Sequence, residues 1–140
     1  MRRRAREAAL GVLFQMDLGK LSLEEALDTV DAPDWPSDEW TLVVTLARGT
    51  RGHLAEIDTL IAQVAEHWTL ERMATVDRNI LRMAIYELVS TGTPVGVVIN
   101  EAVELAKRYS TEESGRFVNG MLGKIVRSGL PPLVGQAADA

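Results

Sequence analysis

Cysteine is absent from all 140 residues, which excludes disulfides and thiolate metal sites and suits a reducing compartment. Histidine occurs only at positions 53 and 67. His53 and His67 are too few and too far apart for a metal site of recognisable spacing, and no HExxH pattern is present; each reads as a helix-end or surface residue. No apolar run reaches the ~20 residues of a membrane span. Glu7, Gln15, Asp17 and Lys20 interrupt the start, where a secretory signal would need a long apolar region. The expectation is a cytoplasmic protein, neither secreted nor inserted in a membrane. Gly92, Gly96, Gly115, Gly120 and Gly123 match neither common phosphate-cradling loop and read as helix ends and close packing contacts. With no thiol, no convincing base and no nucleotide motif, the chain is expected to be neither an enzyme nor the carrier of a cofactor.

What the sequence does have is a contradiction in charge. The formal net charge is −5, yet Arg2, Arg3, Arg4 and Arg6 are four of only 15 basic residues, and Glu7 is the one acidic residue before Asp17. An acidic molecule repels phosphate as a whole, so any nucleic-acid binding must be local to a patch. Arginines at a helix N-terminus also oppose the macrodipole, which favours a reason for them outside the stability of that helix.

The same stretch is patterned as a helix. Ala5, Ala8, Ala9, Val12, Leu13 and Met16 form one apolar stripe of period 3.6. Arg3, Arg6, Leu10 and Phe14 make a second line, rotated a little over a third of a turn. That flank is expected to run from arginines to an exposed or half-exposed Leu10 and Phe14. Ser22 and Glu25 have capping-box spacing and open a short helix to about Val30. Pro33 and Pro36 make the following segment a loop. Ser37 or Asp38 caps a third helix through Leu42, Val43, Leu46 and Ala47, with Gly49 to Gly52 either a kink or a turn. Leu54, Ile57, Ile61, Val64 and Trp68 mark a fourth.

From Thr75 to Ser90 the chain is apolar almost all round, which places that helix in the middle of a bundle. Its Asp77, Arg78, Arg82 and Glu87 must then lie at an exposed start or find partners inside, since an unpaired buried charge costs several kcal/mol. Val98 to Tyr109 gives a sixth helix. Glu101 and Glu104 with Lys107 and Arg108 one turn on have the spacing of ion pairs within it. After a Ser110-Thr111 cap, Val118, Met121, Leu122 and Ile125 mark a seventh. The Val95 to Ile99 run is too short to argue for a strand. The fold class is therefore all-α, a single domain of about seven helices over 1–128, with a flexible tail over 129–140. A chain of this length buries roughly two thirds of its extended surface, enough for its own core.

Phe117 stands to one flank of the last stripe, beside Arg116. Two readings fit it: an aromatic that stacks on an unpaired base, or one that widens the core face.

Four blocks, RRRAREAALGVLFQMD, WTLERMATVDRNILRMAIYEL, INEAVELAKRYS and SGRFVNGMLGKI, resemble in order and spacing the bacterial transcription antitermination factor NusB family, covering Arg2 to about Val126. The resemblance implies two packed helical sub-bundles. It implies binding of the boxA element of nascent RNA together with NusE, a small-subunit ribosomal protein. It also implies entry into an RNA polymerase antitermination complex with other Nus factors, chiefly during ribosomal RNA synthesis. By likeness, Arg2, Arg3, Arg4 and Arg6 would contact RNA, as would Phe117 with Glu113 and Arg116 at its border. Leu10, Phe14, Asp77 and Arg82 would face NusE. Asn100 and Glu101 would satisfy groups between helices. The rival reading is a homodimerising helical bundle with no direct RNA role, whose seam is the Leu10 and Phe14 strip and whose arginines only solubilise it.

Overall fold

The helix over Thr75–Ser90 has too few polar residues for a wet face, and the chain surrounds it. The computed structural model describes residues 2–19, 21–30, 34–66 and 69–130. Among these are seven α-helices: α1 (Arg2–Asp17), α2 (Leu23–Asp28), α3 (Ser37–Gly52), α4 (Leu54–Val64), α5 (Thr75–Ser90), α6 (Val95–Tyr109) and α7 (Glu112–Ser128). A single 3-10 turn over Leu70–Arg72 precedes α5, and no strand occurs among the described residues. Trp68, His67 and the tail beyond Leu130 lie outside the described residues, as do Lys20 and the first part of the Pro33–Pro36 loop.

Helix α5 packs against α1, α3, α4, α6 and α7, while α1 joins α2 and α3 on one side and α6 and α4 join α7 on the other. These are the two sub-bundles, with α5 common to both. Ile80, Leu81 and Ile85 on α5 are fully buried, with Leu46, Ile57, Ile61, Leu122 and Ile125 brought to the core by neighbouring helices. Each such side chain contributes about 1.5–3 kcal/mol by leaving water.

The charges of α5 all have partners inside. Arg82 Nε and Nη2 donate to Asp58 Oδ1 and Oδ2 at 2.7 and 2.9 Å, and its Nη1 donates to Asp17 Oδ2 at 3.1 Å. Arg78 and Asn79 converge on the same Asp17 oxygen at 2.9 and 2.8 Å. Burial pushes the Asp17 carboxyl up, but hydrogen bonds from Arg78 and Asn79 and the charge of Arg82 outweigh it and hold it below the usual carboxylate range. This cluster ties the end of α1 and the middle of α4 to α5.

Local signals decide the helix ends. Ser22 Oγ accepts from the Glu25 amide at 3.1 Å and Glu25 Oε1 accepts from the Ser22 amide at 2.9 Å, completing the capping box of α2. Thr111 Oγ1 accepts from the Ser114 amide at 2.9 Å and opens α7. Helix α3 starts instead at Ser37 behind Pro36, without a side-chain cap. It runs unbroken through Gly49, and the turn falls at His53. Gly49 is there for closeness: a Cβ at that position would stand 1.9 Å from the Tyr86 ring of α5.

Candidate functional site

The first turns of α1 carry four arginines on three different bearings, because successive residues turn by 100°. Three of them reach carboxylates supplied by three other helices. Arg3 Nε and Nη2 donate to Glu101 Oε1 and Oε2 of α6 at 3.0 and 2.9 Å. Arg4 Nη2 donates to Glu39 Oε2 of α3 at 2.9 Å, and its guanidinium lies 4.5 Å over the Trp35 ring. Arg6 Nε and Nη2 donate to Glu87 Oε1 and Oε2 of α5 at 3.0 and 2.5 Å. The first turn of α1 contains no acidic residue, so these carboxylates offset what the macrodipole and the crowded cations would otherwise cost.

Exposure separates the four. The Arg3 and Arg4 side chains are 46% and 49% exposed, and Arg2 is exposed as well. Arg6 is only 5% exposed and Glu87 2%. Arg6, expected to contact RNA, has the one edge of its fork formed by Nε and Nη2 spent on Glu87 inside the protein. Arg2, Arg3 and Arg6 line an open groove of about 570 Å³, whose other wall is Thr91, Thr93 and Pro94 before α6 and Val97 in its first turn. A second groove, of about 420 Å³, runs between α1 and α6 past Arg3, Glu7, Glu101, Glu104 and Arg108. Ion pairs inside α6, expected from the spacing of its charges, give way there to pairs between helices. Arg108 Nη1 stands 3.4 Å from Glu7 Oε2, and the Tyr109 hydroxyl donates to Glu7.

The flank of α1 also differs from its expected form. Leu10 is buried, 5% exposed, because α3 and α5 both pack on α1 and widen its covered arc beyond the stripe of alanines, valine and leucine. A homodimer seam that includes Leu10 is thereby corrected too. Phe14 is half-buried, and one turn on, Leu18 is 51% exposed. Leu18 went unnoticed in the sequence; its i+4 spacing from Phe14 was the available signal. Arg82, expected at a partner surface, is buried in the Asp17 and Asp58 cluster.

Phe117 is half-buried against the core and stands between two shallow grooves. One, of about 270 Å³, contains Arg72, Asp77, Thr111 and Glu113; the other, of about 280 Å³, contains Glu66, Arg116, Met121 and Lys124. Glu113 and Arg116 are exposed. Asp77 is buried at the first turn of α5, where Ser114 Oγ donates to its Oδ2 at 2.9 Å. Its Oδ1 has no hydrogen-bond partner among the described residues. Asp77 thus lies in the groove with Phe117 and Glu113.

His53 turns the chain between α3 and α4, with Nδ1 3.2 Å from Glu56 Oε1 and its ring stacked on Tyr86. Among the described residues no group of three or more His, Asp or Glu is placed to hold a metal ion. No helix among them is long and apolar enough to cross a membrane.

Comparison with known proteins bears on this surface. The NusB family model matches residues 3–127. The chain is 49% identical over 130 residues to the transcription antitermination protein NusB of Solibacter usitatus, covering 90% of this chain and 88% of the relative. It is 47% identical over 137 residues to that of Anaeromyxobacter dehalogenans, covering 94% and 93%. Among solved structures it is similar to T. maritima NusB, with a TM-score of 0.87 and 40% identity over 94% of each chain. It is also similar to a chain in the crystal structure of antitermination factors NusB and NusE in complex with dsRNA. There the TM-score is 0.76 and the identity 31%, over 91% of this chain and 98% of the other.

Proposed function

The chain belongs to the NusB family, and from that premise we propose that it binds the boxA element of nascent RNA together with NusE. It then joins an antitermination complex on RNA polymerase with other Nus factors, chiefly for ribosomal RNA synthesis. The observation that carries this reading is the likeness, along nearly the whole chain, to a protein solved with NusE and double-stranded RNA. The protein works in the cytoplasm as a binding factor, without catalysis. Residues 1–128 are its RNA-binding domain.

The geometry supports a division of labour among the arginines. Arg2, Arg3 and Arg4 are exposed at one end of α1 and meet RNA; Arg6 holds that end of α1 to α5 through Glu87. Phe117 offers a half-exposed ring for stacking, with Glu113 and Arg116 beside it. Phe14, with Leu18 one turn on, and Asp77 with its unpartnered oxygen, are the NusE-facing groups. Leu10 and Arg82 support that face from within.

Three exposed arginines neutralise few phosphates. At about −0.7 in salt slope per contact on single-stranded RNA, they give weak, sequence-blind attraction. Base contacts and a second protein must supply the rest. The test is a titration of a boxA oligonucleotide and a scrambled one at fixed salt, with and without NusE. Preference for boxA that strengthens severalfold when NusE is added is expected; equal affinity for both RNAs under both conditions would overturn the reading.

A further inference from the structure

Arg3 is the one exposed arginine of α1 whose guanidinium is gripped side-on by a carboxylate. Its Nε and Nη2 donate to the two oxygens of Glu101. A guanidinium has five N–H donors in a rigid plane. Two are engaged, and three remain, two on Nη1 and one on Nη2, which together form a second fork edge. That edge matches a phosphate or the O6 and N7 acceptors of guanine. Glu101 is itself mostly covered, and its carboxyl is held low first by the hydrogen bond from Arg3, so it stays charged.

The grip has two consequences for a ligand. At a distance, Arg3 and Glu101 cancel, so a passing phosphate meets a dipole rather than a free cation and gains little. At hydrogen-bond range, the open edge of the fork is already oriented, so an acceptor set in register loses less freedom in binding there. An interaction that is faint for an arbitrary phosphate and strong for a placed acceptor discriminates between RNAs.

We propose that Glu101 is a specificity-determining positioning residue, which aims the Arg3 fork and suppresses its attraction for RNA of arbitrary sequence. The proposal rests on the RNA-binding reading above. Glu104 supplies its control. It lines the same groove between α1 and α6 and adds to the negative field at Arg3, after Glu101 and ahead of Glu7. No hydrogen bond joins it to the fork. Glu104→Gln therefore removes the same charge nearby without freeing the guanidinium.

The experiment measures binding of boxA and scrambled RNA oligonucleotides, with NusE present, to the unaltered protein, Glu101→Gln and Glu104→Gln across a salt series. Helical circular dichroism confirms that both variants fold. Glu101→Gln is expected to bind scrambled RNA at least about threefold more tightly, with a salt slope steeper by about 0.7. The ratio of boxA to scrambled affinity falls by a similar factor. Glu104→Gln is expected to raise both affinities alike and keep the ratio. An unchanged ratio in Glu101→Gln, or an equal fall in both variants, overturns the role of Glu101. A lack of boxA preference in the unaltered protein overturns instead the reading on which it rests.

Discussion

The Arg6 guanidinium meets the Glu87 carboxylate side-on with both N–O contacts at 3.0 Å or less, joining the first helix to the central one where almost no water reaches. A buried pair of this kind adds little over an apolar pair of the same shape, but losing one partner strands a charge and costs about 3–5 kcal/mol. Arg6→Ala should therefore lower the midpoint of urea unfolding followed by circular dichroism, and Arg6→Met with Glu87→Leu should recover much of the loss. Arg2→Ala, one turn away in the same motif and exposed, should leave the midpoint within error while weakening RNA binding. Equal midpoints for Arg6→Ala and the unaltered protein would show that the pair carries no stability.

Gly49 and Tyr86 make a second dependence between helices. A methyl group at Gly49 would overlap the Tyr86 ring, and overpacking of this sort costs about 1–3 kcal/mol. Gly49→Ala, which ought to favour a helix interior by propensity alone, should instead lower the thermal midpoint. Adding Tyr86→Ala should make the Gly49→Ala penalty much smaller than in the unaltered background. A stabilised single variant would mean that α3 and α5 separate easily at this crossing.

What the sequence conveyed, and what it withheld, divides along the reach of each signal. The capping box of Ser22 and Glu25 and the all-round apolar pattern of Thr75–Ser90 are local, and both are present in the structure. A helical wheel gives the bearing of Leu10 but not the number of helices that cover it, so a residue on the edge of the stripe reads as exposed or half-exposed. The charges of α6 could have paired within their own helix. They pair with α1 because Arg3 and Glu7 are brought alongside by packing that no spacing rule encodes. The place of Asp77 beside Phe117 comes from the way the start of α5 meets the start of α7, which no local pattern shows.

Acid should act on the cluster at Asp17. Its carboxyl is depressed in the folded protein, so the stability it contributes is present above the ordinary carboxylate value near 3.8 and is lost as pH falls through the lower folded value. Asp17→Asn keeps the shape but removes the charge that Arg78 and Arg82 share. The difference in unfolding free energy between Asp17→Asn and the unaltered protein should be full at neutral pH and shrink as acid protonates Asp17. A difference that stays constant from neutral pH to below pH 3 would mean that the charge of Asp17 does not matter to the fold.

Phe117 separates a binding role from a packing role. It is half-buried, so Phe117→Ala removes some apolar contact and should cost stability, less than the loss of a fully buried aromatic such as the 3–5 kcal/mol typical of large-to-small core changes. Stacking on a base is worth about 1–3 kcal/mol per base, roughly 5- to 150-fold in affinity. A ring that stacks on bases presented in register by the arginine end of α1 should lose that factor on boxA RNA. On scrambled RNA, held mainly by phosphate contacts, the loss should be smaller and the salt slope unchanged, because no charge has been removed. Phe117→Leu, which keeps most of the packing and none of the ring, isolates the stacking contribution: it should retain the unfolding midpoint yet still bind boxA weakly. Recovery of boxA affinity in Phe117→Leu would assign the residue to the core and leave Arg116 and Glu113 as the groups at that groove that meet RNA.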